Sequence, residues 1–198
     1  MCLKRAFDLI ASGIGLLILA PILIIIAAAI KLDSRGSIFF RQERVGQHGV
    51  NFRIYKFRTM EVNAEQRGMQ ITVGNDARVT RVGRTLRKYK LDELAQLIDV
   101  FRGKMSLVGP RPEVPKYVAL YPDDVRDTVL SVKPGITDRA SIEYKDEASV
   151  LASAVDPHEA YVKDVLPVKL AYYTSYVRER SFLGDIAIIF ATIFAILR

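Results

Sequence analysis

The chain has 198 residues, of which 50% are hydrophobic and 9% aromatic, and its 29 lysines and arginines against 22 acidic residues give a formal charge of +7. This length allows one domain with an anchor and excludes two ordinary enzymatic domains, and the composition excludes a disordered chain. The single cysteine, Cys2, cannot form an internal disulfide or a cysteine-rich zinc site.

The N-terminal segment is predicted to enter a membrane. Residues 9–30 are 22 consecutive positions without a charged side chain, and about 20 are enough to cross a bilayer as a helix. Pro21 lies near the middle, where a missing backbone donor should kink or break the helix. Basic residues flank both ends, so the positive-inside rule gives a straight span no clear direction. We therefore favour a re-entrant, proline-broken helix over residues 1–35, with both ends cytoplasmic, over a simple span or a cleavable signal peptide.

The basic excess follows this segment directly. Residues 36–115 contain 15 basic and 8 acidic side chains, a net of +7, whereas residues 116–198 carry a net of −2. On charge alone, such a region suits anionic lipid headgroups, phosphate-bearing substrates or nucleic acid. Nucleic acid is disfavoured, because no helix-turn-helix, zinc-finger or RNA-binding signature accompanies the charge.

Beyond the anchor, the pattern predicts an α+β domain that is mainly helical. Residues 37–41 and 52–57 indicate a small antiparallel β-hairpin around a turn that contains two glycines. Helical patterns follow over residues 61–70, 91–102, 156–179 and 182–197, and residues 80–90 are predicted to be a basic helix or turn. The last is apolar from Ile186 to Leu197, which is too short to span a bilayer, so it is either a core helix or an amphipathic interfacial helix.

An adjacent pair of carboxylates, Asp92 and Glu93, opens one of these helices. The predicted buried face of that helix consists of Leu91, Leu94, Ile98 and Phe101. Acidic residues are common in first helical turns because the helix dipole favours them, and this purely structural explanation stays open. Here, however, arginines recur at every third position from 78 to 87, just before the pair. A carboxylate among cations stays ionised, and an ionised aspartate can attack phosphorus or help to hold Mg²⁺.

Further basic residues are candidates for the same anionic site. Arg111 stands between two prolines, which restrict the backbone and display the arginine on a stiff loop. Its planar fork matches the geometry of a phosphate. Lys56 and Arg58 alternate with bulky residues, which places both on one face of a strand or an equivalent loop. Taken singly, each would be an ordinary surface residue.

Together these motifs resemble the bacterial sugar transferase family, the monotopic phosphoglycosyl transferases. The resemblance covers nearly the whole chain in the family's order, including Arg44-Val45-Gly46-Gln47-His48-Gly49, Tyr55-Lys56-Phe57-Arg58-Thr59-Met60, Thr80-Arg81-Val82-Gly83-Arg84, Leu91-Asp92-Glu93-Leu94, Met105 to Pro112 and Lys133-Pro134-Gly135-Ile136-Thr137. The chain is similar to the family's minimal catalytic form. The resemblance therefore implies a catalytic domain over residues 36–198 at the cytoplasmic face of the bacterial inner membrane.

The resemblance also implies a two-step reaction that begins a bacterial glycan pathway. Asp92 would attack the β-phosphate of a UDP-sugar and release UMP, and polyprenyl phosphate, typically undecaprenyl phosphate, would then take the phosphosugar from the aspartate. Glu93, together with Asp92, would hold Mg²⁺. The implied phosphate- and substrate-binding residues are Arg111, Arg87, Lys56, Arg58 and Arg139.

The chain departs from the family pattern at a few positions. Ala95 replaces a common proline, Asp99 occupies an asparagine-like position, and Asp138 and Arg139 follow the Ile-Thr segment in place of glycine. We therefore transfer no sugar preference, and we expect the charged residues 143–147 to be a solvated loop rather than sugar contacts. An inactive membrane scaffold, direct transfer in a ternary complex, and a basic membrane-surface or nucleic-acid binder remain alternatives, and a homo-oligomer remains open.

Overall fold

The structure is a computed structural model that describes residues 2–64, 76–143, 151 and 153–197. In chain order its elements are α1 (Cys2–Asp33), β1 (Phe39–Val45), a 3₁₀ turn (Gln47–Gly49), β2 (Asn51–Phe57), α2 (Arg81–Lys88), a 3₁₀ helix (Leu91–Gln96), α3 (Leu97–Phe101), β3 (Ser106–Val108), α4 (Pro115–Val118), α5 (Asp123–Leu130), β4 (Gly135–Thr137), α6 (Arg139–Glu143), α7 (Pro157–Ala160), a π-helical turn (Tyr161–Val165), α8 (Leu166–Glu179) and α9 (Phe182–Leu197). The predicted α+β, mainly helical class is confirmed.

Helix α1 is long and apolar enough to cross a membrane, by length and composition. Helical structure continues through Pro21, so the predicted break of the helix at this proline does not occur. A proline inside a helix removes one backbone hydrogen bond and bends the helix locally, while helical dihedral angles can resume on both sides. The re-entrant topology and the division at residue 35 stay predictions.

Both ends of α1 contact the rest of the chain, while its middle is exposed. Near the N-terminal end, Arg5 Nη1 donates to the carbonyl oxygen of Val100 at 2.7 Å. Near the other end, the backbone N–H of Val82 donates to Asp33 Oδ2 at 2.9 Å. Between them, apolar side chains such as Leu17 are exposed. A contiguous apolar surface of this kind is typical of a membrane-contacting segment.

The hairpin is longer than the sequence predicts. Strands β1 and β2 pair antiparallel over seven residues each, from Phe39 opposite Phe57 to Val45 opposite Asn51. At the turn, His48 has a φ of 56° and Gly49 a φ of 75°. These left-handed conformations allow the tight reversal that the two glycines predicted.

A second sheet, which the sequence analysis did not predict, consists of two short parallel strands. Ser106 of β3 lies opposite Gly135 of β4, and Val108 lies opposite Thr137. The two backbones approach so closely that a Cβ at Gly135 would lie 2.1 Å from the backbone nitrogen of Gly109. Only glycine fits at this crossing.

We expect Gly135→Ala to destabilise the fold by about 3 kcal/mol, because the new methyl group must push the two strands apart. Gly49→Ala is the matched control, since a Cβ at Gly49 meets nothing within 4 Å, and only its left-handed backbone opposes the change, at about 1 kcal/mol. Thermal unfolding in detergent, followed by circular dichroism, measures both. Equal midpoints for the two variants would contradict the close approach of β3 and β4.

The domain has two main hydrophobic clusters. The larger joins the hairpin end to α4, α5 and α8 through Val45, Val114, Tyr117, Val118, Tyr121, Val129, Ala140, Leu151, Tyr161, Val165, Leu166, Leu170 and Tyr173. The second, which we call the anchor core, contains Ile26, Ile30, Phe57, Leu86 and Ala95. Because two of its members belong to α1, the apolar helix is part of the packing behind the hairpin and α2.

The predicted buried face of the helix at residues 91–102 is wrong, because a different set of side chains points inward. The structure has a 3₁₀ helix followed by the short α3, and Phe101 is 48% exposed. The residues that turn inward are Ala95, Gln96, Asp99 and Val100. A 3₁₀ helix has three residues per turn instead of 3.6, which rotates the inward face away from the position that an α-helical pattern predicts.

The remaining predicted helices are confirmed where the structure describes them. Residues 80–90 contain α2, residues 156–179 contain α7, the π-helical turn and α8, and residues 182–197 form α9. Residues 61–64 form a turn, and the rest of the predicted helix, residues 65–70, lies outside the described residues, as do residues 144–147. On α9, Ile188 is buried whereas Phe190 and Phe194 are exposed, so this helix presents an apolar surface as well as a packed one.

Candidate active site

An open pocket of about 1440 Å³ lies between the hairpin, α2, the 3₁₀ helix and the loop that follows β3. It brings together six residues predicted from the sequence, namely Asp92, Glu93, Lys56, Arg58, Arg87 and Arg111. Arg139 is not among its lining residues and is exposed at the start of α6. The structure therefore assembles most of the predicted anionic site from segments far apart in the chain.

The 3₁₀ helix places the two carboxylates side by side at the pocket. It begins after Lys90, whose backbone is left-handed with a φ of 53° and a ψ of 23°. Asp92 and Glu93 lie in its first turn, and Ala95 packs behind them in the anchor core. The pair of carboxylates, which we call the dyad, thus lies next to the anchor core, to which α1 contributes two residues.

Glu93 is held by two cations. Arg111 Nη1 donates to Glu93 Oε2 at 3.0 Å, Arg111 Nη2 donates to Glu93 Oε1, and Lys56 Nζ donates to Oε1 at 3.0 Å. Burial alone would raise the pKa of Glu93, but Arg111 and Lys56 outweigh it and hold that pKa far below its usual value. In return, Glu93 raises the pKa of Arg111. Glu93 is therefore an ionised, fully engaged member of the dyad.

Asp92 differs from its neighbour. Among the residues that the structure describes, none forms a hydrogen bond or an ion pair with the Asp92 carboxylate. Burial raises its pKa and Glu93 adds to the rise, while Lys56, Arg87 and Arg111 oppose it. An aspartate at a pocket wall, close to cations but bonded to none of them, has oxygens available to a substrate.

The other predicted basic residues divide into two kinds. Arg87 is exposed on the pocket side of α2, near enough to Asp92 to oppose the rise in the pKa of that carboxyl. Arg58 is buried, and its Nη1 and Nη2 donate to the carbonyl oxygens of Arg35 at 2.6 Å and Ser34 at 2.8 Å. Both terminal nitrogens of Arg58 thus fasten the chain that leaves α1, although the side chain borders the pocket.

The sequence does not predict a further group of buried and half-buried polar residues that line the pocket. Tyr161 donates to Glu113 Oε1 at 2.6 Å, and Arg44 Nη1 lies 3.6 Å from Glu113 Oε2. The Lys169 ammonium lies 5.1 Å from the ring centroid of Tyr161. Apart from Arg44, which stands in one of the quoted motifs, these residues carry no local signal, because only the tertiary fold brings them to the pocket.

The dyad fits a magnesium ion only together with a phosphate ligand. No group of three His, Cys, Asp or Glu side chains that could hold a metal occurs in the described part of the chain. Mg²⁺ is commonly bound by one or two carboxylates plus substrate phosphates. Asp92 offers open oxygens for this purpose, whereas both oxygens of Glu93 already accept hydrogen bonds from cations.

Comparisons with known proteins show which family the chain belongs to. The model of the bacterial sugar transferase family matches residues 1–198. The chain is 37% identical over 197 residues to a UDP-N-acetylgalactosamine-undecaprenyl-phosphate N-acetylgalactosaminephosphotransferase of Aeromonas hydrophila, covering 98% of this chain and 44% of the relative. It is 37% identical over 195 residues to the UDP-glucose:undecaprenyl-phosphate glucose-1-phosphate transferase of Escherichia coli (strain K12), covering 97% and 39%.

A shorter relative matches over most of its own length. The exopolysaccharide production protein ExoY of Rhizobium meliloti (strain 1021) is 34% identical over 209 residues, covering 98% of this chain and 84% of the relative. By contrast, the chain spans about two fifths of the length of the two transferases above.

The pocket gathers arginines around an aspartate that is bonded to none of the described residues, and arginine side chains match the geometry of phosphate groups. The chain belongs to the bacterial sugar transferase family, as the resemblance of its motifs predicted.

Proposed function

We propose that this chain is a phosphoglycosyl transferase that moves a phosphosugar from a UDP-sugar to polyprenyl phosphate, through a covalent intermediate on Asp92. The observation that carries this proposal is the difference in bonding between the two carboxylates of the dyad. Glu93 is held by Arg111 and Lys56, whereas Asp92 lines the pocket without a bonded partner in the part of the chain that the structure describes. The names of the relatives, which include UDP-sugar and undecaprenyl-phosphate transferases, support the two substrates.

In the first step, an Asp92 oxygen attacks the β-phosphorus of the UDP-sugar. A bond forms between that oxygen and phosphorus, and the bond from the β-phosphorus to the bridging oxygen breaks. UMP leaves with the bridging oxygen, and the phosphosugar remains on Asp92 as an acyl phosphate.

In the second step, a phosphate oxygen of the polyprenyl phosphate attacks the same phosphorus. The bond from phosphorus to Asp92 breaks, the carboxylate is restored, and a polyprenyl diphosphate sugar is released. Because the two substrates react in turn, one pocket of about 1440 Å³ serves both bulky anions.

The cations of the pocket make an attack by an anion on an anion feasible. Arg111, which Glu93 holds in a fixed orientation, and Lys56 are placed to neutralise phosphate oxygens near Asp92. Arg87 adds charge from α2. The dyad, mainly through the open oxygens of Asp92, would hold Mg²⁺ jointly with the diphosphate, and the ion would supply further neutralisation of the leaving group.

We propose that α1 enters the membrane from the cytoplasmic face and returns to it. The contacts at both of its ends with the same domain support this topology, because a helix that crossed the bilayer would separate them. In a Cys2→Ser background, we expect Leu3→Cys and Ser37→Cys to react with an impermeant thiol reagent only after cells are opened. Reaction of Leu3→Cys in intact bacterial cells would contradict the re-entrant form.

We expect the first step to slow as the pH falls, starting above the usual range for an aspartate. Only ionised Asp92 attacks phosphorus, and burial raises its pKa, so protonation begins at a higher pH than in a free aspartate, whose pKa is about 3.9. UMP release measured from about pH 8 down to pH 4 tests this, with circular dichroism as the control for folding. A rate that stays constant to pH 4 would contradict it.

Intact-protein mass spectrometry tests the function as a whole. Purified protein is incubated with Mg²⁺ and a panel of UDP-sugars, without lipid acceptor. A mass increase equal to one phosphosugar establishes the intermediate and identifies the donor. Polyprenyl phosphate is then added in a second incubation: lipid product without any earlier adduct would favour direct transfer in a ternary complex, and the absence of both would favour the scaffold.

A further inference from the structure

The N-terminal end of α1 is bonded to the strand that leads to Arg111. Lys4 Nζ donates to the carbonyl oxygen of Val108 at 3.1 Å and to Asp185 Oδ2 at 2.5 Å. The Tyr176 hydroxyl lies 2.8 Å from Asp185 Oδ1 and 3.1 Å from the same Val108 oxygen, and these two acceptors share its single proton. We call Lys4, Tyr176 and Asp185, which come from α1, α8 and α9, the Val108 clasp.

The clasp is a specific buried arrangement rather than a chance surface contact. Asp185 is 4% exposed, and each of its carboxylate oxygens accepts from one of the other two members. Both donors also share one carbonyl oxygen as acceptor. A buried carboxylate that is satisfied on both sides fixes its partners in position.

The backbone between the clasp and Arg111 has little freedom. Val108 lies three residues before Arg111, and the N–H of Gly109 donates to the Thr137 oxygen at 3.1 Å. The N–H of Gly135 in turn donates to the Pro110 oxygen at 2.9 Å. Prolines on both sides of Arg111 restrict the remaining dihedral angles. A displacement of Val108 is therefore passed on to Arg111.

Two members of the clasp belong to the helices with the largest exposed apolar surfaces. On α1, Leu3 is exposed beside Lys4, and on α9, Leu183 is exposed near Asp185. The rings of Phe7 and Phe182 pack edge to face at 5.3 Å, which joins the two helices close to the clasp. The positions that both helices take in a membrane therefore affect the hydrogen bonds to one backbone oxygen, that of Val108.

We propose that Lys4, Tyr176 and Asp185 are positioning residues that set Arg111 relative to the dyad, and so couple membrane seating to the phosphate-binding arginine. This inference rests on the proposed function, in which Arg111 contacts phosphate. A misplacement of about 1 Å in a catalytic group can cost about 100-fold in rate. Loss of one clasp donor should therefore slow the first step without removing any group that touches substrate.

The test is a double-mutant cycle in bilayer nanodiscs, with single-turnover UMP release as the readout. Tyr176→Phe removes one donor to Val108 and leaves the charge of α1 unchanged. We expect it to slow release by about tenfold alone and to have no further effect in an Arg111→Lys background, because its influence passes through Arg111. Lys4→Met should behave in the same way, and Lys4→Arg should restore most of the rate.

Tyr172→Phe is the matched control, because Tyr172 lies on the same helix and donates instead to Glu143. We expect its rate to equal that of the wild type. Multiplicative effects of Tyr176→Phe and Arg111→Lys would overturn the proposal, since they would show that the clasp acts on the fold in general.

Hydrogen exchange distinguishes a failure of this inference from a failure of the proposed function. In nanodiscs, we expect Tyr176→Phe, but not Tyr172→Phe, to accelerate exchange in the peptide that spans residues 106–111. If wild-type protein releases no UMP from any donor, the proposed function fails, while this readout still decides whether the clasp holds the strand. Unchanged exchange in Tyr176→Phe would overturn the clasp itself.

Discussion

Asp92→Asn is expected to abolish the phosphosugar adduct and to reduce transfer to polyprenyl phosphate by at least about 10⁴-fold, as removal of a catalytic nucleophile does in enzymes that form covalent intermediates. The amide has nearly the same shape as the carboxylate but is a poor nucleophile. Asp92 has no bonded partner among the described residues, so the substitution breaks no ion pair. We therefore expect the stability of the variant to be almost unchanged.

Steady-state transfer and intact mass measure this loss. Asp127→Asn is the matched control, because the Asp127 side chain is 81% exposed and lies outside the pocket. If Asp92→Asn retained more than about one hundredth of the wild-type rate, Asp92 would be a metal ligand rather than the nucleophile.

Arg111→Met is expected to impair both activity and stability. Loss of a preorganised donor to a phosphoryl group costs about 10²- to 10³-fold in rate. The substitution also leaves Glu93, whose side chain is 15% exposed, with Lys56 as its remaining cation. Removing one partner of a buried ion pair costs about 3 kcal/mol, and the partial exposure of this pair places the expected loss below that value.

The pH dependence of stability identifies the cause. The pKa of Glu93 is lower in the folded chain than its usual 4.5. Its ion pairs therefore contribute stability fully above that value, and the contribution is lost as the pH falls toward the folded pKa.

In Arg111→Met, we expect this acid sensitivity of the stability to be weaker. Thermal unfolding between about pH 3 and pH 7 measures it, and Arg126→Met, which loses only exposed pairs with Asp123 and Asp127, is the control. Equal acid sensitivity in Arg111→Met and wild type would contradict the assignment.

Local patterns predicted local structure well. The hairpin, α2, α8 and α9 follow from residue alternation, helical periodicity and turn residues, which act over a few neighbours. The parallel pair of β3 and β4 was missed because each strand has only three residues and their pairing joins Val108 to Thr137 across the chain. Short strands of this length carry too little periodicity to be recognised.

The site was predicted by resemblance more than by pattern. Spacing alone left open whether Asp92 and Glu93 are ordinary helix-opening acids, and it could not distinguish the bonded carboxylate from the open one. Arg58 shows the limit most clearly. Its alternation with Lys56 suggested a shared role, but its guanidinium donates to the backbone of Ser34 and Arg35. The partners of a long side chain are set by tertiary packing, which no local pattern records.

The anchor core has a consequence for how this chain can be handled and recombined. Ile26 and Ile30 of the apolar helix pack with Phe57, Leu86 and Ala95, in the layer directly beneath the dyad. A chain that starts after residue 35 would expose these three side chains and lose the Asp33 acceptor for the N–H of Val82. Helix α1 is therefore part of the support of the pocket rather than a removable tether, and we expect its exchange for the anchor of an unrelated protein to change the shape of the pocket.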